Sequence, residues 1–105
     1  MTLNDIKGLP LFQTAAIAEA AKDPETQKYI VTCLQRLFSG DYGDIPTEDT
    51  EANNNDLDAG NGRILARYKA AEKLAGDIYI IAAFYAGEPD NLDANNIMIL
   101  YCDEY

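Results

Sequence analysis

The chain of 105 residues contains no histidine and no tryptophan, and Ser39 is its only serine. Those absences remove Ser-His-Asp and Cys-His nucleophilic arrangements. They also remove zinc sites built on imidazole, and two scattered cysteines cannot supply a thiolate site in their place. No Gly-x-x-x-x-Gly-Lys-Ser/Thr loop occurs, and no Gly-x-Gly-x-x-Gly follows a strand pattern, so a phosphate cradle is not encoded. No apolar run approaches the ~20 residues of a membrane span, and no basic flank with a long apolar core marks a signal peptide. Positive charge is scarce: 8 basic residues stand against 18 acidic ones, for a net charge of −10. Such a surface repels nucleic acid and anionic membrane and attracts basic protein surfaces.

What is present describes one α+β domain over residues 1–105. Hydrophobic residues make up 48% of the chain, which is enough for a self-sufficient core at this length. "TAAIAEAAK" predicts a helix over 14–22 with Thr14 as N-cap. "DPETQ" starts a second, over 24–39, with Asp23 as N-cap and Pro24 at the first helical position. Tyr29, Ile30, Cys33, Leu34, Leu37 and Phe38 recur along it at helical spacing, and Gly40 ends it. A third helix, 47–59, opens at Thr47 as cap, with Glu48, Asp49 and Glu51 in its first turn. The pattern then becomes extended. "RILARYK" (63–69) alternates, with Ile64, Ala66 and Tyr68 on one side and Arg63, Arg67 and Lys69 on the other. "DIYIIAAFY" (77–85) and "NIMILYC" (96–102) are continuous apolar runs. Helices followed by three strands predict a three-stranded antiparallel meander covered by helices on one face. Cys33 and Cys102 read as buried free thiols of a reducing cytoplasm. The strands are apolar on both faces, so either the helices wrap further or a second copy covers the bare face.

The segment Ser39–Gly62 carries seven carboxylates and neither Lys nor Arg. It does not fit a calcium loop. Counting from Asp56, position 6 is Asn61 and position 12 is Arg67; counting from Asn54, they are Ala59 and Leu65. Both registers lack the glycine and the bidentate glutamate. No metal, cofactor or catalytic residue is therefore expected. As a surface, a helix over 47–59 places Glu48, Glu51 and Asp58 on one stripe and Asp49 and Asp56 on an adjoining one. Leu57 lies opposite as an anchor, and Asp41 and Asp44 extend the charge into the preceding turn. A row of carboxylates at this spacing can stand in for nucleic-acid phosphates, which repeat at ~3.4 Å per strand, in a Lys/Arg-rich groove. The competing reading is a solvated face partly neutralised by Arg63, Arg67 and Lys69. Tyr42 fits either a partner-facing anchor or a ring that pins the turn to the core.

From "GDYGD" (40–44) through "ED" (48–49), Asn53, Leu57, Gly60, "RILARY" (63–68), "IYII" (78–81), "IL" (99–100) and "EY" (104–105), the chain resembles a family of small plasmid- and phage-borne proteins known as plasmid-related. The resemblance covers about two-thirds of the sequence. Tyr42 and Tyr79 stand where that family commonly has tryptophan, and the 85–96 loop is longer than its usual hairpin. The resemblance implies that Asn53 and Tyr68 are scaffold, holding turn and helix to the sheet. It also implies an accessory protein of mobile DNA, similar to the anti-CRISPR proteins that act on Cas9-type effectors, whose basic channels read a duplex through its backbone.

Two functions are thus expected. One is a non-catalytic inhibitor that contacts a basic effector surface through Asp41, Tyr42, Asp44, Glu48, Asp49, Glu51, Asp56 and Asp58, without binding nucleic acid itself. The alternative is a homodimeric accessory protein of the mobile element, joined through its bare sheet face and lacking a nuclease partner.

Overall fold

The computed structural model describes residues 1–105. In chain order its elements are α1 (Leu3–Ile6), β1 (Leu11–Gln13), α2 (Ala15–Ala20), α3 (Pro24–Phe38), α4 (Thr47–Ala59), β2 (Asn61–Tyr68), β3 (Ile78–Tyr85), β4 (Asn96–Tyr101) and a 3-10 turn, η1 (Cys102–Glu104).

The two central helices begin as their sequences dictate. Thr14 Oγ1 accepts from Ile17 N at the start of α2, and Asp23 Oδ2 accepts from Thr26 N at the start of α3, each satisfying an orphan donor of the first turn. At the other end of α3, Gly40 N donates to Leu37 O and Asp41 N to Arg36 O. These two bonds make a Schellman closure that turns the chain sharply into the acidic segment. α4 begins one residue earlier than its threonine suggests. Pro46, not Thr47, is its N-cap, with an extended backbone and no side-chain cap bond. The Pro46 carbonyl already accepts from Asp49 N and Thr50 N, so Thr47 is inside the helix.

The sheet differs from a three-stranded antiparallel meander. It has four strands in the order β1-β4-β3-β2 and is mixed. β2–β3 and β3–β4 are antiparallel, but β1 runs parallel to β4, pairing Leu11 with Ile97, Phe12 with Met98 and Gln13 with Ile99. Three residues are too few to display an alternation, and their partner lies at the far end of the chain, so β1 leaves no local signal. Cys102 also falls outside the sheet: it begins η1 and is only half-buried, whereas Cys33 on α3 is fully buried.

One face of the sheet holds the core. Ile64, Ala66, Tyr68, Ile78, Ile80, Ala82, Phe84, Ile97 and Ile99 meet Ile6, Ile17, Ile30, Cys33 and Leu37 from the helices. The other face is not wrapped by helices. Across it, Leu65, Ile81, Met98 and Phe12 are consecutive cross-strand neighbours, forming one apolar row from edge to edge. The C-terminal turn covers part of that face. Tyr105 packs edge-on against Tyr79 at 5.4 Å and lies under the Arg63 guanidinium, which also donates to its hydroxyl. No helix is long and apolar enough to cross a membrane.

Candidate functional site

The acidic segment lies along the β2 edge, and its position is set by backbone hydrogen bonding. On an edge strand every second residue directs its N–H and C=O away from the sheet, and those groups must find partners or face water. In β2 these residues are Arg63, Leu65 and Arg67. Arg63 N donates to Asp56 Oδ2 at 3.1 Å. Leu65 is held twice by one side chain: its N–H donates to Asn53 Oδ1 and its carbonyl accepts from Asn53 Nδ2, both at 2.9 Å. Arg67 N donates to Tyr42 O at 3.0 Å, and Arg67 O accepts from Asp44 N at 2.8 Å. The turn and helix thus replace a fifth strand. Asn53 is only 3% exposed and is the buried residue of α4. A polar anchor fits because the helix meets a strand's backbone there. Leu57, the expected anchor, is partly buried at the margin of the core.

The turn before α4 is equally constrained. Arg36 Nε donates to Asp41 Oδ2 at 2.7 Å, and Gly43 N donates to Asp41 Oδ1 at 3.0 Å. The Arg36 guanidinium, followed by the Gly43 amide, holds the Asp41 carboxyl below its ordinary range. Tyr68 Oη donates to Asp41 O at 2.8 Å, and the Tyr68 ring carries the Arg36 guanidinium 4.8 Å above its centroid. Burial raises the Tyr68 hydroxyl pKa well above its ordinary value, which keeps it a donor. Tyr42 is 6% exposed, and its hydroxyl donates to Asn54 Oδ1 at 3.3 Å. Gly43 has φ +74°, and a Cβ there would lie 2.0 Å from Arg67 O. Only glycine allows this approach.

The eight residues singled out from the sequence therefore divide into two groups. Tyr42 is enclosed, Asp41 is engaged by Arg36, and Asp56 is spent on the strand edge. Asp49 and Asp56 do not form an outward stripe: both are half-buried on the side of α4 that carries Asn53. Asp44, Glu48, Glu51 and Asp58 are exposed, and none of them has a salt-bridge partner. Arg63, Arg67 and Lys69 form no salt bridge with them, although Asp44 lines a cleft shared with Arg36, Arg67 and Lys69. Arg67 pairs with Asp77 at 3.0 Å, and Arg63 is turned toward Tyr105. No three side chains among the Cys, Asp and Glu residues converge as a metal-binding group.

The scaffold role of Asn53 is expected from the resemblance alone, and no local pattern of the sequence carries it. The role of Asp56 had no signal, since its use depends on the register of a strand that follows in sequence. A comparison of the chain with family models, curated proteins and solved structures finds no match.

Proposed function

We propose that this chain is a non-catalytic inhibitor of a bacterial defence nuclease. It presents Asp44, Glu48, Glu51 and Asp58 to the basic nucleic-acid channel of a Cas9-type effector. The observation that carries the reading is that these four carboxylates are exposed, lack ion pairs, and sit on a segment fixed by backbone hydrogen bonds to a sheet edge. Rigidity matters because a preorganised charge array loses little entropy on binding. At ~1.5 Å of rise per residue, Glu48 to Asp58 spans about 15 Å, or four to five phosphate steps of one DNA strand. Lys and Arg side chains that hold phosphates accept carboxylates in the same way, Arg bidentately. The experiment is cleavage of a target DNA by guide-loaded effectors, with and without the chain. Inhibition of at least one effector supports the reading, and no inhibition across a panel of Cas9-type effectors contradicts it.

A second reading, a homodimeric accessory protein without a nuclease partner, draws on the apolar row Leu65–Ile81–Met98–Phe12 of the outer sheet face. A stable dimer combined with no inhibition across the panel would favour it.

A further inference from the structure

The two edges of the sheet are finished in opposite ways. Along β2 the outward N–H groups of Arg63, Leu65 and Arg67 and the carbonyls of Leu65 and Arg67 have partners from the acidic segment. Along β1 none is supplied. Ile97 N donates to Pro10 O and Thr14 N donates to Ile99 O. By the alternation of a strand, the N–H and C=O of Leu11 and Gln13 then point off the sheet. All three β1 residues are exposed, Leu11 to 52% and Phe12 to 44%. The strand carries no Lys, Asp, Glu or bulge to protect its edge, and only its three-residue length and the preceding Pro10 limit pairing there.

Between β1 and α3 the surface is without lining carboxylates, and acidic charge meets β1 only past its end, where Glu104 Oε1 accepts from Thr14 Oγ1 at 2.9 Å. A groove of about 290 Å³ runs between β1 and α3, with Ile30, Val31 and Leu34 along its helical wall. Val31 is 45% exposed. The adjoining outer surface of α3 is lined by Gln27, Lys28, Val31, Thr32 and Gln35. No carboxylate lines either surface, although the chain has 18. A basic partner would be drawn elsewhere. Another copy with net charge −10 meets no lining carboxylate on this surface.

We propose that the chain self-associates through β1, two copies pairing antiparallel about a two-fold axis at Phe12. The register is self-complementary. Leu11 of each copy faces Gln13 of the other as a hydrogen-bonded pair, so all four outward groups of each strand are used. Phe12 faces Phe12 at the closer, non-hydrogen-bonded spacing of ~4.5 Å between Cα atoms. The apolar row of the outer face then continues through the axis into the second sheet. Since β1 and β2 are opposite edges, the two acidic segments lie at the far ends of an eight-stranded sheet. The pairing does not depend on the inhibitor reading.

Sedimentation of the full chain across roughly 1 µM to 1 mM tests the association. The wild type is expected to dimerise in that range. Phe12→Arg and Val31→Glu are each expected to weaken the dimer by at least roughly tenfold, with circular dichroism unchanged. Thr47→Arg, at an exposed position of α4 beside the opposite sheet edge, is expected to leave it intact. A Phe12→Cys variant in a Cys102→Ala background fixes the register. Diamide, accepting two electrons and two protons from the paired thiols, is expected to join the copies quickly, whereas Thr47→Cys in the same background is expected to dimerise without being crosslinked. The proposal is overturned by a wild type that stays monomeric throughout, by a dimer that Phe12→Arg leaves at wild-type affinity, or by Phe12→Cys that crosslinks no faster than Thr47→Cys.

Discussion

Asn53 holds both backbone groups of Leu65, donating to its carbonyl and accepting from its amide at 2.9 Å each, as the next strand of a sheet would. This pair ties a helix with little apolar surface to the fold, and it orients the carboxylates around it.

Asn53→Ala is therefore expected to be costly. It removes two hydrogen bonds and leaves a peptide N–H and C=O unpaired at a partly buried site, a combined loss of about 2–4 kcal/mol. Asn53→Asp keeps the acceptor for Leu65 N and loses the donor to Leu65 O, so an intermediate loss is expected. Urea unfolding of the two variants beside wild type checks the order. Equal stability of all three would mean that the clamp contributes nothing.

Gly43→Ala is expected to cost about 3 kcal/mol or more, because a left-handed backbone and a blocked approach act together. The added Cβ would fall 2.0 Å from Arg67 O, so the turn must leave the strand. The same loss should appear as faster amide exchange at Asp44 and Arg67, whose N–H groups close this bridge.

The Asp41 carboxyl sets a pH dependence whose sign is determined. Its folded pKa lies below the ordinary 3.8, through Arg36 first and the Gly43 amide second. The unfolded state therefore binds the proton more readily. The stabilisation is fully present above the unfolded value and is lost as pH falls through the folded one. The stability difference between wild type and Asp41→Asn is expected to be constant from neutral pH to about pH 5 and to shrink below pH ~4. Melting temperatures of both proteins over that range check it, and the paired comparison cancels the other carboxylates. Since the pair is half-exposed, the effect should be small.

The cysteines should differ in reactivity. Burial pushes both thiols above their ordinary pKa, and Cys33 is fully enclosed while Cys102 is half-exposed. A thiol reagent at pH 8 is expected to label Cys102 slowly and Cys33 only as the chain unfolds. Equal rates in the folded protein would contradict this packing.

How much of this was legible beforehand follows from the range of each interaction. α2 and α3 could be read from caps and a 3.6-residue stripe, because both signals are local. Ile64, Ala66 and Tyr68 were legible as an inward face, because alternation is local too. β1 was not legible: Leu11, Phe12 and Gln13 become a strand only through a parallel partner more than eighty positions away. The exposed half of the acidic segment was visible as charge. Its inward half was not legible from local pattern, since Asp56 and Asn53 act on a strand edge whose register is a tertiary fact, and only the resemblance singled out Asn53.

The most direct measurement compares wild type with the combined Asp44→Asn, Glu48→Gln, Glu51→Gln and Asp58→Asn variant as inhibitors of target-DNA cleavage by a guide-loaded Cas9, at low and high salt. None of these four side chains makes an ion pair within the fold, so the variant should fold as wild type does. The expected result is inhibition by wild type that weakens with salt, and a variant at least roughly tenfold less potent at low salt. Wild-type potency retained by the folded variant at both salts would contradict the carboxylate surface as the contact.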